Sequence, residues 1–307
     1  MLITPQNSYP KLARALGLPE IILKREDLHP YGSHKGRSIP YMIEKYMKQG
    51  YRDFAISSSG NAALAALNAA LEKKVNLKVF VGKNINKSKL NVLESIILSP
   101  YQGEIKRGSI KKISIEQVAN PKQQAFLAGK KTAKVINLRQ STDDLALAGY
   151  KTLAAELKRI KNLQAIFVPT SSGTTAQALG KFLPDIQIHI AQTTACHPIA
   201  EIFSPYEVRE HLSRFYIGRE IERGSLANAI VDKVAHRKEK VIEVIKTTNG
   251  FGWIISDEEI KNAIKLVKET ADIDISPNSA LALAGLQKAI KNGWRFTDAV
   301  VCLITGK

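Results

Sequence analysis

Three features of the chain predict an α/β fold built on mainly parallel sheets. Short apolar runs alternate with helix-length stretches along nearly all 307 residues, the pattern of strands buried between two helical layers. Several of those runs end in loops of hydroxyl, glycine and amide residues that feed into a helix, where ligands of parallel sheets bind. No internal repeat or low-complexity linker interrupts the alternation.

The strand-like runs are FAI at 54–56, LKVFV at 77–81, AKVIN at 133–137, AIFV at 165–168, IQIHIA at 186–191, VIEVI at 241–245 and AVVCLI at 299–304. A helix is expected from Lys35 toward Gly50 and another from about Thr174. The clearest begins at Asp257, where Ile260, Ala263, Ile264 and Val267 share one face. Ser256 and Glu259 have the spacing of its capping box. His189 reads as a core or edge histidine, Cys302 as a buried small hydrophobe, and Trp253 and Trp294 as packing residues.

Composition narrows the class. Hydrophobic residues are 44% and charged residues 24%, as in ordinary globular chains with a sizeable core. No apolar run reaches the roughly 20 residues of a membrane span. The opening MLITPQNSYPKLARALG lacks the apolar core of a signal peptide, so the expected location is cytoplasmic. Two cysteines, Cys196 and Cys302, give no disulfide framework, and the six histidines show no metal-ligand spacing. No metal is expected. Lys and Arg number 45 against 28 Asp and Glu, a net charge of +17. Residues 83–134 carry 11 basic and 3 acidic side chains. That stretch has no interleaved aromatics and no nucleic-acid-binding motif, so a nucleic acid is not the expected partner. An anionic small molecule suits the charge better.

Three loops carry the chemistry. After AIFV comes PTSSGTT at 169–175, whose small residues let backbone N–H groups converge at a helix start and whose hydroxyls add donors. It is neither a Walker loop nor GxGxxG; the residues alone indicate an anion or a plain strand-to-helix turn. After FAI comes SSSGN at 57–61, and after AVVCLI comes TGK at 305–307. Upstream, LKREDLHPYGSHKGRS at 23–38 puts Gly32 and Ser33 in a tight turn before Lys35. A lysine at a helix start faces the positive end of the helix, which disfavours its ammonium form. Uncharged, it is a nucleophile able to form a Schiff base; spacing alone does not separate this from a solvated surface lysine.

The combination resembles the fold-type II pyridoxal phosphate enzymes, a family that includes threonine synthase, the serine/threonine dehydratases, cysteine synthase and tryptophan synthase β. Lys24 to Lys35 match the family's K-x-E-x-x-x-P-x-G-S-x-K, Ser58-Ser59-Gly60-Asn61 its asparagine loop, 169–175 its phosphate loop, and Thr305-Gly306 its terminal segment. Ala148-Gly149-Tyr150-Lys151-Thr152 and Pro277-Asn278-Ser279-Ala280 match two further segments, in the family's order. Gly36 departs from it where an acidic residue often follows the lysine, Ser276 where a glutamate usually precedes the proline, and Ser171-Ser172 where glycines are usual.

The resemblance implies pyridoxal 5′-phosphate as cofactor. It implies that Lys35 holds the cofactor covalently and moves the substrate Cα proton, and that Asn61 binds the 3′ oxygen. Ser58, Ser59 and Gly60 would bind the substrate carboxylate, and Ser171, Ser172, Gly173, Thr174 and Thr175 the cofactor phosphate. Thr305 would face the ring nitrogen, and His34 would add a phosphate contact as in tryptophan synthase β. It implies two αβα three-layer units with the cofactor in the cleft between them, residues 1–41 and 140–307 forming the large unit and 42–139 the small one. A homodimer is also implied. Lys151-Thr152, Ser279-Ala280 and Thr305-Gly306 lean toward threonine synthase, a lyase of amino-acid biosynthesis converting O-phosphohomoserine and water to threonine and phosphate. Lys24-Arg25-Glu26-Asp27 and Ala148-Gly149 are closer to the dehydratases. A dehydratase or a cysteine-synthase-like β-replacement enzyme is the alternative, and a non-catalytic member of the fold or a nucleic-acid-associated protein a remote one.

Overall fold

The computed structural model of the protein describes residues 3–98, 112–131, 134–204 and 224–306. The basic stretch at 83–134 therefore lies partly outside the described residues. In chain order the first half carries β1 (Gln6–Ser8), α1 (Pro10–Leu16), β2 (Ile21–Arg25), α2 (Lys35–Lys48), β3 (Asp53–Ser57), α3 (Asn61–Lys73), β4 (Asn76–Gly82), α4 (Lys87–Leu98), β5 (Ile113–Val118), α5 (Pro121–Lys131), β6 (Val135–Asn137) and α6 (Leu145–Gly149). There follow α7 (Lys151–Leu157), β7 (Leu163–Pro169), α8 (Thr174–Phe182), β8 (Gln187–Thr193), α9 (Lys238–Thr247), β9 (Gly252–Ile255), α10 (Asp257–Ala271), α11 (Pro277–Lys291) and β10 (Ala299–Ile304). Among the described residues no helix is long and apolar enough to cross a membrane.

Two compact units divide the chain, residues 1–28 with 150–307 and residues 29–149. The sequence reading instead places the boundaries at 41/42 and 139/140. Residues 29–41 and 140–149 fall with the second unit because α2 packs on α3 and α6. Gly149 makes the α6 contact possible: a Cβ there would stand 2.6 Å from the Ser38 Cα.

The first unit is a six-stranded sheet in the order β1-β2-β10-β7-β8-β9, parallel except for β1. Helices α1, α10 and α11 cover one face through Leu12, Ile260, Leu283 and Leu286 against Phe167, Ala191 and Trp253. Helices α8 and α9 pack on each other and on β8 outside that cluster. The second unit is a four-stranded parallel sheet, β5-β4-β3-β6. Alternation splits its faces as a period of two requires: Phe54, Ile56, Leu77 and Val79 point to α2, α3 and α4, while Ala55 and Phe80 meet Ala125 of α5.

The run VIEVI at 241–245, expected as a strand, is the middle of α9. Its β-branched residues suggest a strand, but Val241, Ile242 and Ile245 are buried while Glu243 is exposed, which is helical spacing. Strands β1, β2, β5 and β9 form from runs the pattern did not single out. His189 is fully buried in an aromatic cluster, stacked on Phe167 at 4.4 Å between ring centroids. Trp253 Nε1 donates to His189 Nδ1 at 3.3 Å, and burial pushes the imidazole down to about 3. Cys302 is buried in β10.

Candidate active site

In the second unit, two helices start beside the C-terminal end of β3. Helix α2 leads into β3 through a short loop and α3 leaves β3 through another, so both run antiparallel to it and their first residues lie at the same edge of the sheet. Those first residues are Lys35 and Asn61. Neither helix is capped by its N-cap side chain and neither has an acidic residue in its first turn, so no carboxylate neutralises the positive end of either; at α2 the Ser33 hydroxyl accepts from the Lys35 N–H at 3.3 Å. Ser58 Oγ accepts from the Gly60 N–H at 3.2 Å and shapes the turn before Asn61.

The turn before Lys35 is equally specific. Gly32 has φ +72°, and its N–H donates to the His29 carbonyl at 2.6 Å. Ser33 is fully buried. His34 occupies the cap position of α2, but its side chain does not cap the helix. Gly36 has no room for a Cβ, which would lie 2.3 Å from His29 Cε1. The family's acidic residue is therefore replaced by an imidazole packed over the backbone that follows Lys35.

Lys24 opens the same motif and has a different environment. Its Nζ is fully buried, ion-paired with the buried Glu156 carboxylate and donating to the Thr4 carbonyl at 2.8 Å and Gln6 Oε1 at 3.1 Å. Thr4 Oγ1 in turn donates to Glu26 Oε1. These groups join β1, β2 and α7, a structural role for half of the motif.

In the first unit, β7 and β10 are neighbours in the sheet, so the loop at 169–173 and Thr305 follow adjacent strand ends. Gly173 caps α8 at φ +86°, and a Cβ there would stand 2.5 Å from Val241 Cγ2; only glycine fits. Helix α8 has no side-chain cap and no acidic residue in its first turn. Ser172 Oγ and Thr174 Oγ1 are 3.0 Å apart, with Thr174 and Thr175 buried. Ser171 is turned another way: its hydroxyl donates to Asp232 Oδ2 at 3.1 Å.

Thr305 is held by residues the sequence reading did not single out as a group. Ser276 caps α11, and its hydroxyl donates to the Gly306 carbonyl at 2.7 Å. Ser279 Oγ donates to the same carbonyl at 2.8 Å and lies 3.5 Å from Thr305 Oγ1. The Ser276 departure and the PNSA segment therefore have one structural purpose, fixing the end of β10. In the second unit the starts of α2 and α3 carry an amine and an amide; in the first unit the start of α8 is rich in hydroxyls and follows the strand next to the one that ends at the buried Thr305. The start of α8 suits a phosphate: converging donors, no competing carboxylate in the first turn of α8, and a backbone only glycine can adopt.

Comparison with known proteins gives the family. The family model described as pyridoxal-phosphate dependent enzyme matches residues 2–306. The threonine synthase of Methanocaldococcus jannaschii is 26% identical over 333 residues, covering 99% of this chain and 74% of that protein. The catabolic L-threonine dehydratase of Staphylococcus aureus is 29% identical over 170 residues, covering 53% of this chain and 46% of that protein. The serine racemase of Dictyostelium discoideum superposes with a TM-score of 0.75 at 20% identity, over 99% of this chain and 92% of that one. The chain belongs to the pyridoxal-phosphate dependent enzymes of fold type II, and its cofactor is pyridoxal 5′-phosphate.

Proposed function

We propose that the protein is a threonine synthase-type lyase that converts O-phosphohomoserine and water to threonine and phosphate. The observation that carries this reading is extent: the threonine synthase match covers 99% of the chain, the dehydratase match 53%. The net charge of +17 favours a doubly anionic substrate.

When bound, the cofactor supplies the electron sink for carbanion chemistry at the substrate Cα. In this reading Lys35 Nζ holds it covalently and then carries the Cα proton. The Asn61 amide donates to its 3′ oxygen. Ser58, Ser59 and the Gly60 backbone, at the open start of α3, hold the substrate carboxylate. The N–H groups and hydroxyls of 171–175 hold the cofactor phosphate, with His34 as a further polar contact. Thr305 meets the ring nitrogen with a neutral hydroxyl kept in place by Ser279, and imposes no charge on it. That arrangement favours elimination and replacement over reactions that need a fully protonated ring.

The test is phosphate release from O-phosphohomoserine with threonine as co-product, read on the purified protein. A serine or threonine dehydratase is the second reading, favoured by Lys24-Arg25-Glu26-Asp27 and by Ala148-Gly149. Formation of a 2-oxo acid from serine or threonine, with no phosphate release from O-phosphohomoserine, would establish it in place of the first. The homodimer implied by the family resemblance is checked by sedimentation of the same sample.

A further inference from the structure

We propose that Asp232 is a positioning residue that contests the loop at the start of α8 and sets how tightly a phosphate group is held there. The proposal rests on residues 171–175 being the cofactor-phosphate site. A serine hydroxyl offers one donor and two acceptor positions, and all three of Ser171's are taken by the segment around Asp232. Ser171 Oγ donates to Asp232 Oδ2 at 3.1 Å and accepts from the N–H groups of Val231 at 3.2 Å and Asp232 at 3.3 Å. A hydroxyl-to-carboxylate bond is charge-assisted and stronger than a neutral one. A phosphate can take the Ser171 proton only by displacing that carboxylate, and the displaced anion stays next to the loop.

The segment is built for local adjustment. Ala227, Ile230 and Ala235 are buried, and Arg237 Nη1 donates to Gln177 Oε1 of α8 at 2.9 Å, so both of its ends are anchored. Between them Val231 and Val234 are 59% and 71% exposed. The 231–234 turn can therefore release Ser171 without unpacking the core. An anion positioned against an anion site makes binding of phosphate weaker and more dependent on the ligand's charge.

Asp232→Asn keeps the shape and removes the charge. Affinity for pyridoxal 5′-phosphate is measured by titration of the Schiff-base absorbance, beside pyridoxal, which lacks the phosphate. The expected result is a three- to tenfold gain for the phosphorylated ligand and none for pyridoxal. Asp232→Ser is the second variant and gives the same selective gain if the introduced amide disturbs the turn. A change that is equal for both ligands, no change, or a selective loss overturns the proposal while leaving the cofactor reading intact. A wild-type protein that takes up neither ligand removes the reading and the proposal together.

Discussion

Two helix starts of the first unit, α8 after β7 and α10 after β9, follow parallel strands of one sheet and are finished in opposite ways. At α10, Ser256 Oγ accepts from the Glu259 N–H at 3.2 Å, and the Glu259 carboxylate accepts from the Ser256 N–H at 2.7 Å. Asp257 and Glu258 add acid to the first turn, and Asp257 also accepts from Ser225 Oγ at 2.6 Å. At α8 the cap is Gly173, no side chain caps the helix, and no acid lies in the first turn. The starts of α2 and α3, with Lys35 and Asn61, repeat the α8 pattern. Among the described residues α10 and α11 are capped by serine side chains, whereas α1, α2, α3, α7, α8 and α9 are not; an uncapped start is therefore not by itself the mark of a site, and at α8 it coincides with the hydroxyls of 171–175 and with Gly173. The two lysines of the motif differ as well: Lys24 is closed into a buried ion pair, and Lys35 stands at a helix start with no acidic residue in its first turn.

The largest effect falls on the open side. Lys35→Ala is expected to lower turnover by at least about 10³-fold, the scale of a lost proton-transfer group, with the fold intact by circular dichroism. Turnover within tenfold of wild type would move the chemistry elsewhere. Next comes the closed side: Glu156→Gln removes the carboxylate paired with the buried Lys24 ammonium, a loss of about 3–5 kcal/mol. Urea denaturation measures it, and a loss under about 1 kcal/mol would show that water reaches the pair.

A matched pair of substitutions then sharpens the contrast between the two starts. Ser172→Asp adds acid at the start of α8 and should weaken pyridoxal 5′-phosphate about tenfold by charge repulsion, with little change in stability. Ser256→Ala should cost about 1 kcal/mol of stability and leave cofactor affinity unchanged. If both variants change the same quantity, the two starts do not differ in kind.

The smallest effect is a pH dependence confined to the scaffold. The His189 imidazole is held at about 3 in the fold against 6.5 when unfolded. The unfolded chain therefore takes a proton below 6.5 that the folded one refuses. The stability contributed by this depressed value is present above 6.5 and is lost as pH falls toward 3. At pH 6 the loss is under about 1 kcal/mol. A His189→Phe variant should lack this component, and an unchanged slope between pH 6.5 and 5 would assign it to other groups.

Much of this is legible in the sequence. The capping box at Ser256 and Glu259, the helix from Lys35 and the strand ends feeding polar loops all form as local pattern and cap chemistry require. The run at 241–245 misleads because its β-branched residues are buried with a period near 3.6, so composition and spacing point to different elements. What pattern could not supply is long-range pairing. Lys24 meets Glu156 across 132 residues, Gly149 is needed for the first turn of α2, and Asp232 reaches Ser171 from 61 residues away. Each of these residues is ordinary in its own window and acquires a role only when the chain closes on itself. The unit boundaries differ from expectation for the same reason, since α6 joins α2 through a contact that no local composition marks.

The most direct test of the central claim is borohydride reduction of the purified protein with its cofactor, followed by mass mapping of the modified peptide. The expected result is loss of the Schiff-base absorbance and a single pyridoxyl group on Lys35. Modification at Lys24 or another lysine, or no covalent adduct at all, would contradict it.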